Sequence, residues 1–403
     1  MKKKIFVRAP CLSQSGYGEQ SRFALRALRS REDLFDVYLQ PIPWGQTGWI
    51  WEDNEFRQWM DQRITETQIM IQQKKLQPDM SLQCTIPNEF ERICPVNIGF
   101  TAGMETNKVS PEWIQKGNQM DKVLVVSNHS KNVYKKSSAT AVDPMTGNNV
   151  EQTLQSPIEV TWESTPRAEA EEIPGLDIKT RFNFLMVSQM GPRKNFTNAI
   201  SWWIEEFIDQ SVGLIVKTNV RGNSRMDLEA TEGALKALLA TYPDRKCKVY
   251  LLHGDLSNGQ MTTLYTHTKV KAIINIAHGE GFGLPLFEAA REGLPVITVG
   301  WSGQLDFLHH DGEDYFQKVD FTIGPVQREA VWDGVIQQDS MWAYADQGSY
   351  KMTLRKFRKD HKKAKTTANK LKKIIANKFS DEKLYAAFCD QITSLTENKE
   401  EEQ

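Results

Sequence analysis

The sequence predicts an α/β protein built from two doubly wound, Rossmann-like domains, and three observations lead there. The chain has 403 residues, more than one ordinary core organises and enough for two domains of roughly 150 to 200 residues. Short apolar runs of strand length alternate with helix signals in both halves, the pattern of a parallel sheet flanked by helices. Between the two series lies a polar stretch punctuated by Pro157, Pro166 and Pro174, which reads as a linker.

The first series opens with a buried-strand pattern from Lys4 to Val7, passes through Ser13-Gln14-Ser15-Gly16-Tyr17-Gly18, and enters a helix marked by Phe23, Leu25 and Leu28. Apolar spacing of three and four on that segment is what identifies the helix. Further strand-like runs fall at 35–39, 96–100 and 123–126. Residues 137–155 turn polar, and the acidic run Glu169 to Glu172 follows. The second series has strands at 182–187, 212–217, 248–252, 272–276 and 295–299, with helices at 198–208 and 284–292. Domains are therefore expected at residues 1–178 and 179–378. Residues 379–403 add a final helix, from about Asp381 to Leu395, that packs back on the first domain, and a polar tail.

Composition narrows the function classes. With 40% hydrophobic and 25% charged residues and a net charge of −1, the chain has the make-up of a soluble globular protein whose overall charge nominates no polyanionic partner. No apolar run approaches the roughly 18 residues of a membrane span, and three apolar residues before Arg8 are too few for a secretory core. A cytoplasmic location is the expectation. The five cysteines are scattered and never in Cys-x-x-Cys spacing, which fits reduced thiols. Asp-x-Asp and His-Glu-x-x-His are absent, so neither a metal nor a cofactor is expected.

The most informative run is His278-Gly279-Glu280-Gly281-Phe282-Gly283-Leu284-Pro285, followed by Glu288 and by Gly293-Leu294-Pro295. It leaves a strand and opens a helix. Gly281 and Gly283 let the backbone approach a ligand, and a helix starting near Leu284 or Pro285 directs amide donors and its positive dipole end at a phosphate. A diphosphate suits that place. Glu288, one turn into the helix, could accept two hydrogen bonds from vicinal hydroxyls such as those of a ribose. Glu280 can reach the group beyond the phosphates.

This run resembles the Glu, seven residues, Glu signature of glycosyltransferase family four, with Glu280 and Glu288 as its two acids. Residues 248–255, 264–277, 299–306 and 184–195 are also similar to segments of that family, so the resemblance spans about 130 continuous residues and extends more loosely to the amino half. The resemblance implies the GT-B fold, two Rossmann-like domains facing each other across a cleft. It also implies transfer of a sugar from a nucleotide diphosphate donor to an acceptor hydroxyl, with retention of anomeric configuration and without a metal. Lys194 matches the family's diphosphate-neutralising lysine. Gln189 stands where the family has an arginine, so either Arg193 supplies that charge or the phosphate grip is weaker. Gly16 and Gly18 match a loop that approaches donor and acceptor, with Tyr17 between them. Glu105, in the run Phe100 to Thr106, matches an acid that faces the cleft, and His129 follows nearby. Catalytic roles thus fall to Glu280, Lys194 and Glu105, and donor contacts to Gly16, Gly18, Arg193, Lys194, Gly281, Phe282, Gly283, Leu284 and Glu288.

The acceptor is less determined by sequence. Trp49 and Trp51, close to Trp44 and Trp59, could stack on a sugar or base or serve as core anchors, and Tyr17 and His129 join them as acceptor candidates. From Lys351 to Lys378 there are 12 Lys or Arg against the single acid Asp360, a solvated helix face or a contact for DNA. In overall character the chain is similar to phage-encoded relatives that glycosylate hydroxymethylated DNA bases. Glycan and lipid-linked acceptors stay open, as do a GT-B sugar-nucleotide epimerase and a non-catalytic nucleic-acid-binding protein.

Overall fold

The structure, a computed structural model, describes residues 2–50, 52–142, 145 and 147–401. The chain divides into two compact units. Unit 1 holds Met1–Ser164, Val331–Ser340 and Asp381–Gln403, and unit 2 holds Thr165–Ala330 and Met341–Ser380.

Unit 1 runs β1 (Lys3–Ala9), α1 (Gly16–Arg29), β2 (Phe35–Pro41), α2 (Glu55–Gln72), β3 (Met80–Cys84), β4 (Val96–Thr101), α3 (Pro111–Gly117), β5 (Lys122–Val125), α4 (Asn128–Lys136), a hairpin of β6 (Ser138–Val142) and β7 (Asn149–Thr153), and β8 (Ile158–Val160). Its main sheet has the order β2-β1-β3-β4-β5-β8, every neighbour parallel. Strands β3 and β4 are buried on both faces, as expected where helices cover a parallel sheet on each side. Helix α1 starts where the Ser15 hydroxyl accepts from the Gly18 amide, and it buries Phe23, Leu25 and Leu28. On the edge strand β2, the Leu39 amide donates to the Thr67 hydroxyl of α2 at 2.7 Å.

Unit 2 runs β9 (Asn183–Val187), α5 (Phe196–Phe207), β10 (Gly213–Lys217), α6 (Arg225–Ala240), β11 (Lys248–Leu252), α7 (Asn258–Thr266), β12 (Val270–Asn275), α8 (Leu284–Arg291), β13 (Val296–Val299), α9 (Leu305–Leu308), the short pair β14 (His309–His310) and β15 (Glu313–Asp314), β16 (Gln317–Val319), a hairpin of β17 (Phe321–Pro325) and β18 (Met341–Ala345), α10 (Gln347–Lys359) and α11 (His361–Lys378). The parallel sheet has the order β11-β10-β9-β12-β13-β16. The chain moves outward from β9 to β11 and then returns to the other side of β9. Loops after β9 and β12 therefore diverge, and the crevice between them is where such sheets bind ligands. Phe184, Trp203, Phe207 and Phe357 fill the core beneath.

Helix α12 (Asp381–Glu401) returns to unit 1. Phe388 lies 5.8 Å from Phe23 and 5.5 Å from Phe100, and the Cys389 thiol donates to the Ala27 carbonyl.

Three features depart from the expected boundaries. The chain changes units between Ser164 and Thr165, ahead of the expected 178, because the acidic stretch does not hang free. It lies along α7, with the Glu171 amide donating to the Gly259 carbonyl and the Thr263 hydroxyl to the Glu171 carbonyl. Residues 331–340, expected in the second domain, belong to unit 1. There Val335 is buried in the cluster of Val109 and Trp113, and Asn88 donates to the Gly334 carbonyl. Residues 138–153, read as polar loop, carry the β6–β7 hairpin.

Candidate functional site

In unit 2 the loops after β9 and β12 are tied together at the crevice. Lys194 ends a 3₁₀ turn, Pro192–Lys194, and Asn195 takes a left-handed φ of 51° that turns the chain into α5. The Asn195 side chain donates to the Ile276 carbonyl, and the His278 amide donates to the Arg193 carbonyl. Those bonds bring Arg193 and Lys194 onto Glu280. The Lys194 ammonium donates to both carboxylate oxygens at 2.6 and 2.7 Å, Arg193 donates to one at 3.2 Å, and Asn275 donates to the other at 2.9 Å. Glu280 is 6% exposed. Burial alone would raise its pKa, but the charges of Lys194 and Arg193 outweigh that and hold the carboxyl down at about 2.

The loop after β13 fixes the backbone of Glu280. Its amide donates to the Ser302 hydroxyl at 2.9 Å, and its carbonyl accepts from the Gly303 amide at 2.9 Å. Ser302 has a positive φ of 78°, and its hydroxyl donates to Gln304. A Cβ on Gly303 would sit 1.8 Å from the Gly281 carbonyl oxygen, so only glycine fits. Gly283, at φ 91°, caps α8, and Pro285 occupies its first turn. The amides that open a helix have no intrahelical acceptor, and the dipole adds positive charge there. Gly281 and Leu284 flank that opening. Phe282, expected among the ligand contacts, turns its ring into an aromatic cluster with Phe287 and Phe307 at 5.3 and 5.1 Å; only its backbone belongs to the loop surface.

Glu288 is half-buried on α8. One oxygen accepts from the Thr165 hydroxyl at 2.8 Å and the other from the Tyr265 hydroxyl at 2.7 Å. Burial, reinforced by the Glu288 charge, drives the Tyr265 pKa upward, so the phenol stays a donor. Protein hydroxyls thus orient a carboxylate expected to take ligand hydroxyls. Gln189 is exposed and donates to the Val220 carbonyl at 3.0 Å. Arg193, not Gln189, stands beside Lys194 on Glu280.

Sequence reasoning missed the anchor of the loop after β10. Asp227 accepts from the Val220, Arg221 and Gly222 amides at 3.2, 2.8 and 3.2 Å and faces His253 Nε2 at 2.8 Å. Burial opposes, but the His253 bond and those amides hold its pKa at about 2. The Ser224-x-x-Asp227 spacing, with the Ser224 hydroxyl accepting from the Asp227 amide, is a helix-start signature readable in the sequence. His278 was also passed over. Its ring stacks on Trp342 at 4.8 Å, Nδ1 faces the Ala343 carbonyl at 2.7 Å, and Nε2 faces the Gln327 amide at 3.1 Å. Nδ1 therefore carries the proton, and burial lowers the pKa.

In unit 1, a Cβ on Gly18 would meet the Ser13 carbonyl oxygen at 2.0 Å, while one on Gly16 would meet nothing within 4 Å. Gly18 serves the turn itself and Gly16 faces open space. The Tyr17 hydroxyl pairs with that of Thr101 at 2.7 Å, and its ring lies 4.3 Å from Trp44. Burial raises the Tyr17 pKa, and the Glu105 carboxylate adds to that rise. Glu105 is half-buried. Two residues before it, Gly103 has φ 86° and packs its backbone against Ser130. His129 Nε2 meets the Thr106 carbonyl at 3.2 Å, and burial lowers its pKa to about 4. Trp49 is 65% exposed, and Trp51 lies outside the described residues. Trp59 stacks on Phe56 of α2 and donates to Glu32 in the turn after α1.

Among the described residues no group of three His, Cys, Asp or Glu side chains is placed to hold a metal, and no helix is long and apolar enough to cross a membrane.

No protein-family model matches the chain. The serotype-specific mannosyltransferase WbdA of Escherichia coli is 30% identical over 115 residues, which is 28% of this chain and 13% of that protein. The match therefore spans a small part of that relative. Among solved structures, HepE of Anabaena in complex with UDP-glucose superposes with a TM-score of 0.60 at 13% identity, over 97% of this chain and 99% of that one. Sucrose-phosphate synthase of Thermosynechococcus elongatus gives 0.63 at 12% identity over 98% and 100%. An E. coli trehalose-6-phosphate protein bound with UDP-2-fluoro glucose gives 0.58 at 9% over 96% and 98%. The chain has the α/β GT-B fold of these proteins.

Proposed function

We propose that the protein is a glycosyltransferase of the family-four kind, moving a sugar from a uridine diphosphate donor to an acceptor hydroxyl with retention and without a metal. The observation that carries this reading is Glu280 held by Lys194 and Arg193 beside the opening of α8. A departing diphosphate gathers negative charge, and two cations together with a helix N-terminus would stabilise it as it forms. Glu280 would orient the cations and contact the transferred sugar, and Glu288 would take the ribose hydroxyls. The UDP complexes of HepE and of the trehalose-6-phosphate protein make uridine the first base to test.

In unit 1, Gly16, Tyr17 and Glu105 would meet the reacting end of the donor and acceptor, with His129, Trp49 and Trp51 on the acceptor side. A hydroxymethylated DNA base is the acceptor that the basic segment would favour. That segment borders the start of β12 through Lys362 and Lys365, a strand's length from Glu280, so it would hold DNA away from the transferred sugar. On that reading a glycan-type hydroxyl is the acceptor to test first.

The test is a panel of UDP-sugars incubated with glycan acceptors and with hydroxymethylated DNA, read by release of UDP and by product mass. A glycosylated product supports the reading. Sugar epimerisation without acceptor, or no donor turnover in the folded protein, overturns it.

A further inference from the structure

At the other end of the unit 2 sheet lies a cavity of about 730 Å³, within the size range of small-molecule sites. Its charged and imidazole lining is His267 before β12, Lys271 on β12, Glu292 after α8, and His361, Lys362 and Lys365 in the first turns of α11. Glu280 and Lys194 belong to loops at the strand ends. This cavity sits at the strand starts; Tyr265, which donates to Glu288, also lines it, but its cations belong to other elements and the inference does not depend on the proposed transfer reaction.

The charges around it do not balance. Glu292 is the one carboxylate of the lining, and it is already shared by Lys372 at 3.4 Å, Arg167 at 3.7 Å and Arg291 at 3.8 Å. Lys365 donates to the Gly293 carbonyl at 2.6 Å and Lys271 to the Thr268 carbonyl; each ammonium has two further protons to give. Helix α11, 18 residues long, opens on this cavity after Asp360, whose side chain makes no cap hydrogen bond, and has no acid in its first turn. It opens instead with His361, Lys362 and Lys363, which place positive charge at the positive end of the dipole, against the stabilising order. The cations also work against one another. Burial lowers the pKa of His361, with Lys271 and Lys362 adding to it, and burial lowers that of Lys365, with Lys372 and Lys271 adding. An anion in the cavity would offset the repulsion among these cations.

We propose that this cavity is an anion site for a compact ligand bearing two or more phosphoryl groups. Three ammoniums and the opening of α11 around one cavity match clustered phosphates. A duplex backbone would need charge spread evenly along a face. At the far end of the segment Lys351 rests on Glu205 and Arg355 on Glu206.

The experiment is isothermal titration of tripolyphosphate into the full chain carrying Arg193→Gln with Lys194→Ala, which removes both cations of the other site. One binding event is expected. Lys271→Gln with Lys362→Gln in that background should weaken it by about tenfold or more, from two lost charge-assisted bonds. Lys370→Gln with Lys373→Gln removes the same charge from exposed positions of α11 outside the cavity lining and should leave affinity nearly unchanged. Circular dichroism confirms that each variant is folded. Absence of binding at low salt overturns the proposal, and so does an equal loss in the two double variants. A short DNA duplex that binds where tripolyphosphate does not would also overturn it and assign the segment to nucleic acid.

Discussion

The ammonium of Lys194 lies 2.6 and 2.7 Å from the two carboxylate oxygens of Glu280. The lysine expected to meet a diphosphate thus already rests on the first glutamate of the same site, and an arriving diphosphate has to share it. Both partners are partly or largely buried, with 19% and 8% side-chain exposure.

Glu280→Gln should therefore lower stability, because it strands Lys194 and Arg193 without their counter-charge. Removing one partner of a fully buried pair costs roughly 3 to 5 kcal/mol; the partial exposure of the two cations reduces the expectation to about 1 to 3 kcal/mol. Since a diphosphate would supply the missing charge, UDP should raise the Tm of the variant more than that of wild type. Equal shifts would count against a phosphate position beside Lys194.

Acid titration gives a second check. The folded-state pKa of Glu280, about 2, lies below the ordinary value of 4.5, so the stability it contributes is complete above 4.5 and is lost as pH falls from 4.5 toward 2. The stability difference between wild type and Glu280→Gln, from urea unfolding, should shrink across that window. A difference that stays constant would show that the carboxylate charge is not what holds the loop.

Glu288→Ala should weaken nucleoside diphosphate binding by about 1.5 to 3 kcal/mol, the range for charge-assisted hydrogen bonds. It should also lower stability, because the buried Tyr265 hydroxyl loses its acceptor. Tyr265→Phe removes that hydroxyl without touching the carboxylate. Its expected affinity, by isothermal titration, is close to wild type; a loss as large as that of Glu288→Ala would make Glu288 a structural acid.

Asp227→Ala should raise the donor KM several-fold, by roughly 1 kcal/mol, with kcat nearly unchanged. The carboxylate gathers the Val220, Arg221 and Gly222 amides, and Gln189 rests on that same loop. A fall in kcat with constant KM would place Asp227 in the chemical step.

Much of this was legible in the sequence because it depends on local spacing. Gly281, Gly283 and Pro285 define the opening of α8 by backbone conformation alone, and strand runs such as 183–187 and 213–217 are apolar because both sheet faces are covered. What escaped depends on contacts remote in sequence. Ser302 lies in the run 299–306 that resembles the family, but nothing local says that its hydroxyl accepts from the Glu280 amide, or that Thr165 meets Glu288 across 123 positions. The stretch 331–340 was misassigned because its attachment to unit 1 rests on Val335 and the Gly334 carbonyl, which a linear reading cannot pair with Trp113 or Asn88. The basic segment was legible as charge, but not as a pocket, because Lys271 comes from a different element.

The most direct measurement is UDP release from the best donor of the UDP-sugar panel, by wild type and Lys194→Ala, each with and without excess EDTA. The account predicts equal wild-type rates in both conditions. It also predicts a Lys194→Ala kcat lowered about 10²- to 10³-fold with a smaller change in donor KM, since the lysine is needed most as the diphosphate departs. Loss of wild-type activity in EDTA with recovery in magnesium or manganese, or a Lys194→Ala defect confined to KM, would contradict it.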